Sequence, residues 1–271
     1  MKIFAIRNNF KKDNKDLAYL IYYESEKKFF IEIPDDITTW DVPILLSTFV
    51  KRGKRTVNSY WSKIWVQQRI VPSDRQNLGY ILRDNGLKEY DEYNLLMIAN
   101  GRCEQDECYL VSIKPSDLPE SFSDRFGKRI DYAICLNDYN MIVFFKNGET
   151  KKCNLEYLFH DISKKNSKYA NYSVFQKFEI MPGGYGINWN NIINIDSEDL
   201  YKSGTSIPLK LSDFKTIAAD TVISVSEAAQ ILRCSRQNID DLVKRNKLHF
   251  ASENGNKKLL FRDEVQKRKQ Q

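Results

Sequence analysis

Residues 224–243 carry the most restrictive local pattern in the chain. Ser224-Val225-Ser226-Glu227-Ala228-Ala229-Gln230-Ile231-Leu232, then Arg233-Cys234, then Ser235-Arg236-Gln237-Asn238-Ile239-Asp240-Asp241-Leu242-Val243 spell a helix, a tight turn and a second helix. Ser226 stands before Glu227-Ala228-Ala229 as an N-cap followed by strong helix formers. Ser235 caps the second helix in the same way. Ala228, Ile231 and Leu232 recur at i, i+3 and i+4, as do Ile239, Leu242 and Val243, so each helix has one apolar stripe to bury against the other. Arg236, Gln237, Asp240 and Lys244 are left on the outer face. Such a pair can seat its second helix in the major groove of double-stranded DNA, where Arg and Gln near the helix start reach guanine or adenine edges.

Beyond this pair, Leu248-His249-Phe250-Ala251 and Lys258-Leu259-Leu260-Phe261 flank Ser252-Glu253-Asn254-Gly255, a hairpin signal. Lys257 and Lys258 lie on its returning arm, within reach of phosphate, and Asp263-Glu264-Val265-Gln266-Lys267 begins a short last helix. The charge distribution agrees with this placement. Residues 224–271 hold 11 Lys/Arg against 6 Asp/Glu, whereas the preceding residues hold 31 against 30. Nearly all of the net charge of +6 thus sits on the segment with the helix pair, where counterion release from DNA rewards it. A solvated basic tail ending in Lys267-Arg268-Lys269 is the plainer alternative.

Ile223-Ser224-Val225-Ser226-Glu227-Ala228-Ala229, Cys234-Ser235-Arg236-Gln237-Asn238-Ile239 and Asn246-Lys247-Leu248 together resemble the excisionase- and MerR-type helix-turn-helix. Phe261-Arg262-Asp263-Glu264-Val265 is similar to the way that family leaves its wing. The resemblance covers about residues 222–266 and implies DNA binding, often by a homodimer at a promoter or recombination site. Asp240 and Asp241 depart from it by placing negative charge in the middle of the reading helix.

Residues 128–201 form a second pattern. Strands are expected at 128–136, 141–146, 149–153 and 175–180, with Asn147-Gly148 as a turn. A helical turn is expected at 155–162, and Pro182-Gly183-Gly184-Tyr185-Gly186 reads as a loop lacking the spacing of a phosphate loop. Val143-Phe144-Phe145-Lys146-Asn147-Gly148, Leu155-Glu156-Tyr157-Leu158-Phe159, Gly186-Ile187-Asn188-Trp189 and Ile195-Asp196-Ser197-Glu198-Asp199-Leu200-Tyr201 resemble the bacterial domain-of-unknown-function family 2442. The family implies a compact α+β domain with no assigned reaction, often fused to a helix-turn-helix. Residues 164–171 are a polar, Lys-rich insertion relative to it.

The N-terminal region begins with a strand at 1–7 and a hairpin from 17–23 to 28–33, with Phe29, Ile31 and Ile33 on one face. Helices are expected after an Asp41 cap and at 56–70, 73–85 and 91–100, with Gly86 and Gly101 as C-terminal caps. Within residues 51–75, seven basic residues surround Tyr60, Trp61 and Trp65. Trp61, Ile64 and Trp65 have core spacing, which outweighs base stacking. Lys51, Arg52, Lys54 and Arg55 form a basic loop suited to phosphate contact. No family resemblance is seen for this region.

The expectation is an α+β protein with an N-terminal α+β domain at 1–115, a small α+β domain at 127–205 and a winged helix-turn-helix at 221–268. Residues 212–220 serve as the hinge. DNA contacts are assigned to Ser235, Arg236, Gln237, Asn238, Lys244, Lys257 and Lys258. A protein partner bound through the N-terminal domain, as in an adaptor or inhibitor, is the alternative function. No catalytic pair, metal cluster or cofactor motif emerges, so no enzyme activity or cofactor is expected. Five scattered cysteines beside two histidines favour reduced thiols over a zinc site. No apolar run reaches the roughly 18–20 residues of a membrane span, and Met1-Lys2-Ile3-Phe4-Ala5-Ile6-Arg7 is too short an apolar start for a signal peptide, which makes a cytoplasmic, bacterial or phage setting the expectation.

Overall fold

The structure, a computed structural model, describes residues 1–9, 15–165, 171–190, 192–255 and 257–269. It is α+β and forms two compact units, Met1–Asn147 with Lys152–Thr205, and Gly148–Lys151 with Ser206–Gln271. The expected N-terminal and middle regions therefore share one unit. No helix among the described residues is long and apolar enough to cross a membrane.

The first unit begins with β1 (Lys2–Asn8), β2 (Ala18–Tyr23), β3 (Lys28–Glu32), α1 (Ile44–Lys51), β4 (Thr56–Val57) and α2 (Ser59–Gln67). It continues through α3 (Leu78–Asp84), α4 (Glu92–Ile98) and β5 (Cys108–Ile113). The strands make one sheet in the order β4-β3-β2-β1-β5, antiparallel at each pairing. The hairpin turns at Glu24–Lys27 as expected, with Lys27 at φ 51°. Phe4, Ile6, Leu20, Tyr22, Phe29 and Ile31 pack against Leu46, Trp65 and Leu96 of the helices. Gly86 and Gly101 both have positive φ, as helix-ending glycines do.

The second face of this sheet is also covered. Ala5 and Tyr19 pack on Phe122 of α5 (Phe122–Gly127). Phe30 stacks on Tyr185 with ring centroids 3.9 Å apart. Buried Glu32 accepts from Arg129 Nη2 and from Arg125 Nη1, each at 2.9 Å, and from Thr56 Oγ1 at 3.0 Å. The Arg129 guanidinium lies 3.6 Å from the Phe126 ring centre and 3.9 Å from that of Tyr185.

Tyr185 belongs to the remainder of the unit: β6 (Ile130–Cys135), β7 (Asn140–Phe145), the part of β8 (Thr150–Asn154) from Lys152 onward, α6 (Glu156–Lys165), α7 (Tyr172–Phe175), β9 (Glu179–Ile180), β10 (Gly186–Trp189), β11 (Ile193–Asp196) and α8 (Ser197–Ser203). β6 and β7 are antiparallel, and β10 pairs with both β9 and β11. Phe159, Phe175 and Trp189 fill the core between them, and Trp189 Nε1 donates to the Phe175 carbonyl at 2.8 Å. The glycine loop is a turn of 3₁₀ type over Pro182–Gly184.

The second unit takes the first residues of β8 and, from Ser206, β12 (Thr205–Ile207), followed by α9 (Leu211–Thr221), β13 (Val222–Ser224), α10 (Val225–Leu232), α11 (Arg236–Lys244), β14 (Phe250–Asn254), β15 (Lys257–Phe261) and α12 (Arg262–Lys269). Its sheet runs β13-β15-β14.

Several local expectations are corrected. Asp41 does not cap α1. Its carboxylate accepts from Thr38 N at 2.8 Å and Thr38 Oγ1 at 2.7 Å, and Pro43 occupies the cap position. The expected 56–70 helix starts only at Ser59, because Val57 pairs with Ile31 of β3 and Asn58 caps α2 by accepting from Trp61 N. The 73–85 helix starts at Leu78, after an Arg75–Asn77 side-chain hydrogen bond closes a turn. Residues 175–180 are not one strand: Asn171 caps α7 through Val174 N, and only Glu179–Ile180 pair. The expected hinge is helical, with the Asp213 carboxylate accepting from Lys210 N at the start of α9. β5, α5 and β13 add to the elements the sequence pattern shows. Of the polar insertion, residues 166–170 lie outside the described residues.

Candidate nucleic-acid interface

α10 begins two residues earlier than a Ser226 cap would place it. Ser224 is the N-cap, and its Oγ accepts from Glu227 N at 3.2 Å while the Glu227 carboxylate accepts from Ser224 N at 2.8 Å. This reciprocal box satisfies donors that a helix start leaves open. Its backbone hydrogen bond from Ser224 is the main reason the Glu227 carboxyl lies below the usual range. Ser224 also ends β13, which pairs with β15, so one residue fixes both the sheet edge and the helix. Ser224→Ala is expected to lose about 1 kcal/mol and to speed amide exchange at residues 227–229 in the intact chain. Because the folded carboxyl is shifted down, its contribution is present above the ordinary Glu range and fades as pH falls through the folded value.

α10 ends at Arg233, which takes a left-handed conformation at φ 52°. Ser235 then caps α11, its Oγ accepting from Asn238 N at 3.2 Å. Ala228, Ala229 and Ile239 are buried, with Ile231, Leu232, Leu242 and Val243 packed around them and Leu260 and Val265 closing the core. Both apolar stripes are thus used as their spacing required.

The outer face of α11 is open. Ser235, Arg236, Gln237 and Asn238 are all exposed in its first turn. Exposed Lys244 lies at its far end, 3.6 Å from Asp241. The hairpin has longer arms than the apolar runs suggested: Asn254 pairs with Lys257, leaving Gly255 in the turn at φ 58°. A groove of about 570 Å³ runs between α11 and this hairpin, lined by Ser226, Arg236, Asp240, Lys257 and Lys258 among others. On the other side of Arg236 a shallow concavity holds Gln230 and Arg233.

The two hairpin lysines differ. Lys257 is exposed and faces the groove. Lys258 Nζ lies 3.5 Å from Asp240 and 3.4 Å from Glu253, over the Phe250 ring. The Asp240 carboxylate in the middle of α11 is therefore offset by a cation of the hairpin. Arg233, exposed in the turn between the two helices, adds a second cation beside Arg236. A basic residue where two helices meet is its signal in the sequence.

Lys51, Arg52, Lys54 and Arg55 belong to the other unit and do not act as one loop. Arg55 Nη1 donates to the carbonyls of Pro34 at 3.1 Å and Ile37 at 2.7 Å, so it clamps a turn. Lys54 is drawn toward Asp196 and Asp199 at 3.9 and 4.0 Å. Only Lys51 and Arg52 of the four are without an ion pair among the described residues, and both are exposed. Trp65 is buried under the Arg69 guanidinium, 3.6 Å from its ring centre, so it is core and not a stacking platform.

Residues 130–206 match the family model "Protein of unknown function (DUF2442)". The match spans the region that forms β6 to β12 and agrees with the resemblance seen over 128–201. No helix-turn-helix or excisionase family model matches. Searches of curated proteins and of solved structures gave no match.

Proposed function

We propose that the protein is a DNA-binding regulator, of transcription or of a mobile element, that acts in the cytoplasm of a bacterium or in phage infection. Its second unit is read as a winged helix-turn-helix. The observation that carries this is the first turn of α11, where Arg236, Gln237 and Asn238 stand exposed side by side with Lys257 across the groove. α11 would lie in the major groove, with Arg236 and Gln237 on base edges and Lys257 and Lys244 on phosphates. A homodimer would double these contacts on a two-fold site.

Each good bidentate base contact is worth about 1–3 kcal/mol of discrimination. Arg236→Ala with Gln237→Ala is therefore expected to erase preference for the selected site over random DNA by at least about tenfold. Lys257→Ala should weaken binding to all sequences alike and flatten its salt dependence. Lys258→Ala should also weaken binding, by unmasking Asp240. These effects are measured by gel shift of the full chain on DNA selected from a random pool, at several salt concentrations. A wild-type chain that retains no DNA at low salt, or variants that bind like it, would sink the proposal.

A second reading, an adaptor or inhibitor that docks another protein through the N-terminal region, has one observation in its favour. Trp40 is 93% exposed and nearby Ile44 88%. Weak salt dependence of partner binding would distinguish this reading, since steep dependence marks phosphate contact.

A further inference from the structure

The first unit contains a groove of about 800 Å³ between the ends of α1 and α2, within the range of small-molecule sites. Val42, Leu45, Phe49 and Trp61 give it an apolar wall, with Trp61 set edge-on to Phe49 at 6.2 Å.

Its polar lining divides into engaged and free groups. Thr48 Oγ1 donates to Ile44 O, Thr56 Oγ1 to Glu32, and Asn58 accepts from Trp61 N. Asp106 is held by Arg69 and by Cys108 N. Lys54 accompanies Asp196, whose carboxyl is pushed up from its ordinary value chiefly by burial. Arg52, Gln68 and Gln105 line the same groove without a side-chain partner among the described residues. The acids are thus answered by cations of the fold, while one guanidinium and two amides are not. A guanidinium beside an apolar wall fits a carboxylate or sulfonate attached to a flat hydrophobic body.

A neighbouring cavity of about 300 Å³ provides the contrast. It also holds many charges, but its cations are paired: Arg125 with Asp35 and Glu32, Lys128 with Asp124, and Arg129 with Glu32. Charge density alone does not distinguish the two. The unpaired cation does.

We infer that the groove between α1 and α2 binds a small organic anion with an aromatic or branched apolar body, with Arg52 holding the anionic group and Phe49 and Trp61 holding the body. In a regulator this would be the effector site. The inference does not depend on whether the second unit binds DNA, and its test does not involve DNA.

The full chain is titrated with 8-anilinonaphthalene-1-sulfonate and with N-phenyl-1-naphthylamine, which has the same aromatic body and no charge, and probe fluorescence is followed. One saturable site is expected for the sulfonate. Losing one charge-assisted contact costs about tenfold in affinity, so Arg52→Gln should weaken the sulfonate by about tenfold and leave the neutral probe within about twofold. Trp61→Ala should weaken both probes. Lys51→Gln, which removes an adjacent exposed cation outside the lining, should change neither. Arg52 and Lys51 are both exposed, so these two variants retain the fold and decide the matter. Equal effects of Arg52→Gln and Lys51→Gln would show diffuse attraction and overturn the inference. So would many weak sites, or sulfonate binding that disappears on dilution with loss of a dimer.

Discussion

Glu32→Ala is expected to destabilise the first unit by about 3–5 kcal/mol, the usual result of removing one partner from a buried ion pair. Glu32 is fully buried and neutralises Arg125 and Arg129 at once, each at 2.9 Å. Without it, the Arg129 guanidinium stays enclosed between the rings of Phe126 and Tyr185 with no opposing charge. Arg125 retains Asp35 at 2.7 Å and suffers less. The measurement is convenient because the four tryptophans, Trp40, Trp61, Trp65 and Trp189, all lie in the first unit. Urea unfolding followed by tryptophan emission therefore reports that unit alone. Adding Arg129→Met should restore part of the loss, since removing both charges of a buried pair costs less than removing one. A loss below about 1 kcal/mol for Glu32→Ala would mean that the cluster is wetter than its geometry indicates.

Gly184→Ala is expected to cost about 2–5 kcal/mol, combining the left-handed penalty with overpacking. Gly184 has φ +80°, and an added Cβ would lie 2.1 Å from the Ile130 carbonyl oxygen, a backbone atom of β6 that cannot turn away. Gly53→Ala is the control. Its φ is +70° with nothing within 4 Å of an added Cβ, so it should show only the conformational penalty of about 1–2 kcal/mol. If the two variants unfold at the same urea concentration, the close approach of the glycine loop to β6 is not what holds that loop. The same loop places Tyr185 on Phe30, which explains why a glycine-rich stretch without phosphate-loop spacing exists here at all.

Glu32 and Gly184 belong to one surface, the second covered face of the N-terminal sheet. The spacing of Phe29-Phe30-Ile31-Glu32-Ile33 puts Phe29, Ile31 and Ile33 on one face of a strand. Phe29, Ile31 and Ile33 do meet the helices. Yet Phe30 and Glu32 are equally buried on the opposite side. An uninterrupted apolar run is compatible with two covered faces, but the partner that covers the second face, Tyr185, lies more than 150 positions away. A buried glutamate in a strand was the available signal, since a carboxylate is taken inside only when cations meet it.

Local chemistry was legible where each motif satisfied itself. Ser235 is a helix cap because a short polar side chain bonds an amide a few residues along. The stripes of α10 and α11 were legible because a 3.6 period at close range needs no distant partner. The basic run at 51–55 was not. Four adjacent cations looked alike in sequence, but the fold brings two carbonyls to Arg55 and two carboxylates near Lys54, while Lys51 and Arg52 receive none.

The sequence by itself determined the helix pair of residues 225–244, the β2–β3 hairpin, the turn at Asn147-Gly148 and the concentration of positive charge near the C-terminal end. Each depends on spacing or composition within a few turns of chain. Only the tertiary structure decided which cations are free, that Lys258 masks Asp240, and that the N-terminal sheet is buried on both faces. Those outcomes depend on which distant side chain arrives opposite a charge or an apolar face, and the cost of burying either one alone is what makes the arrangement specific.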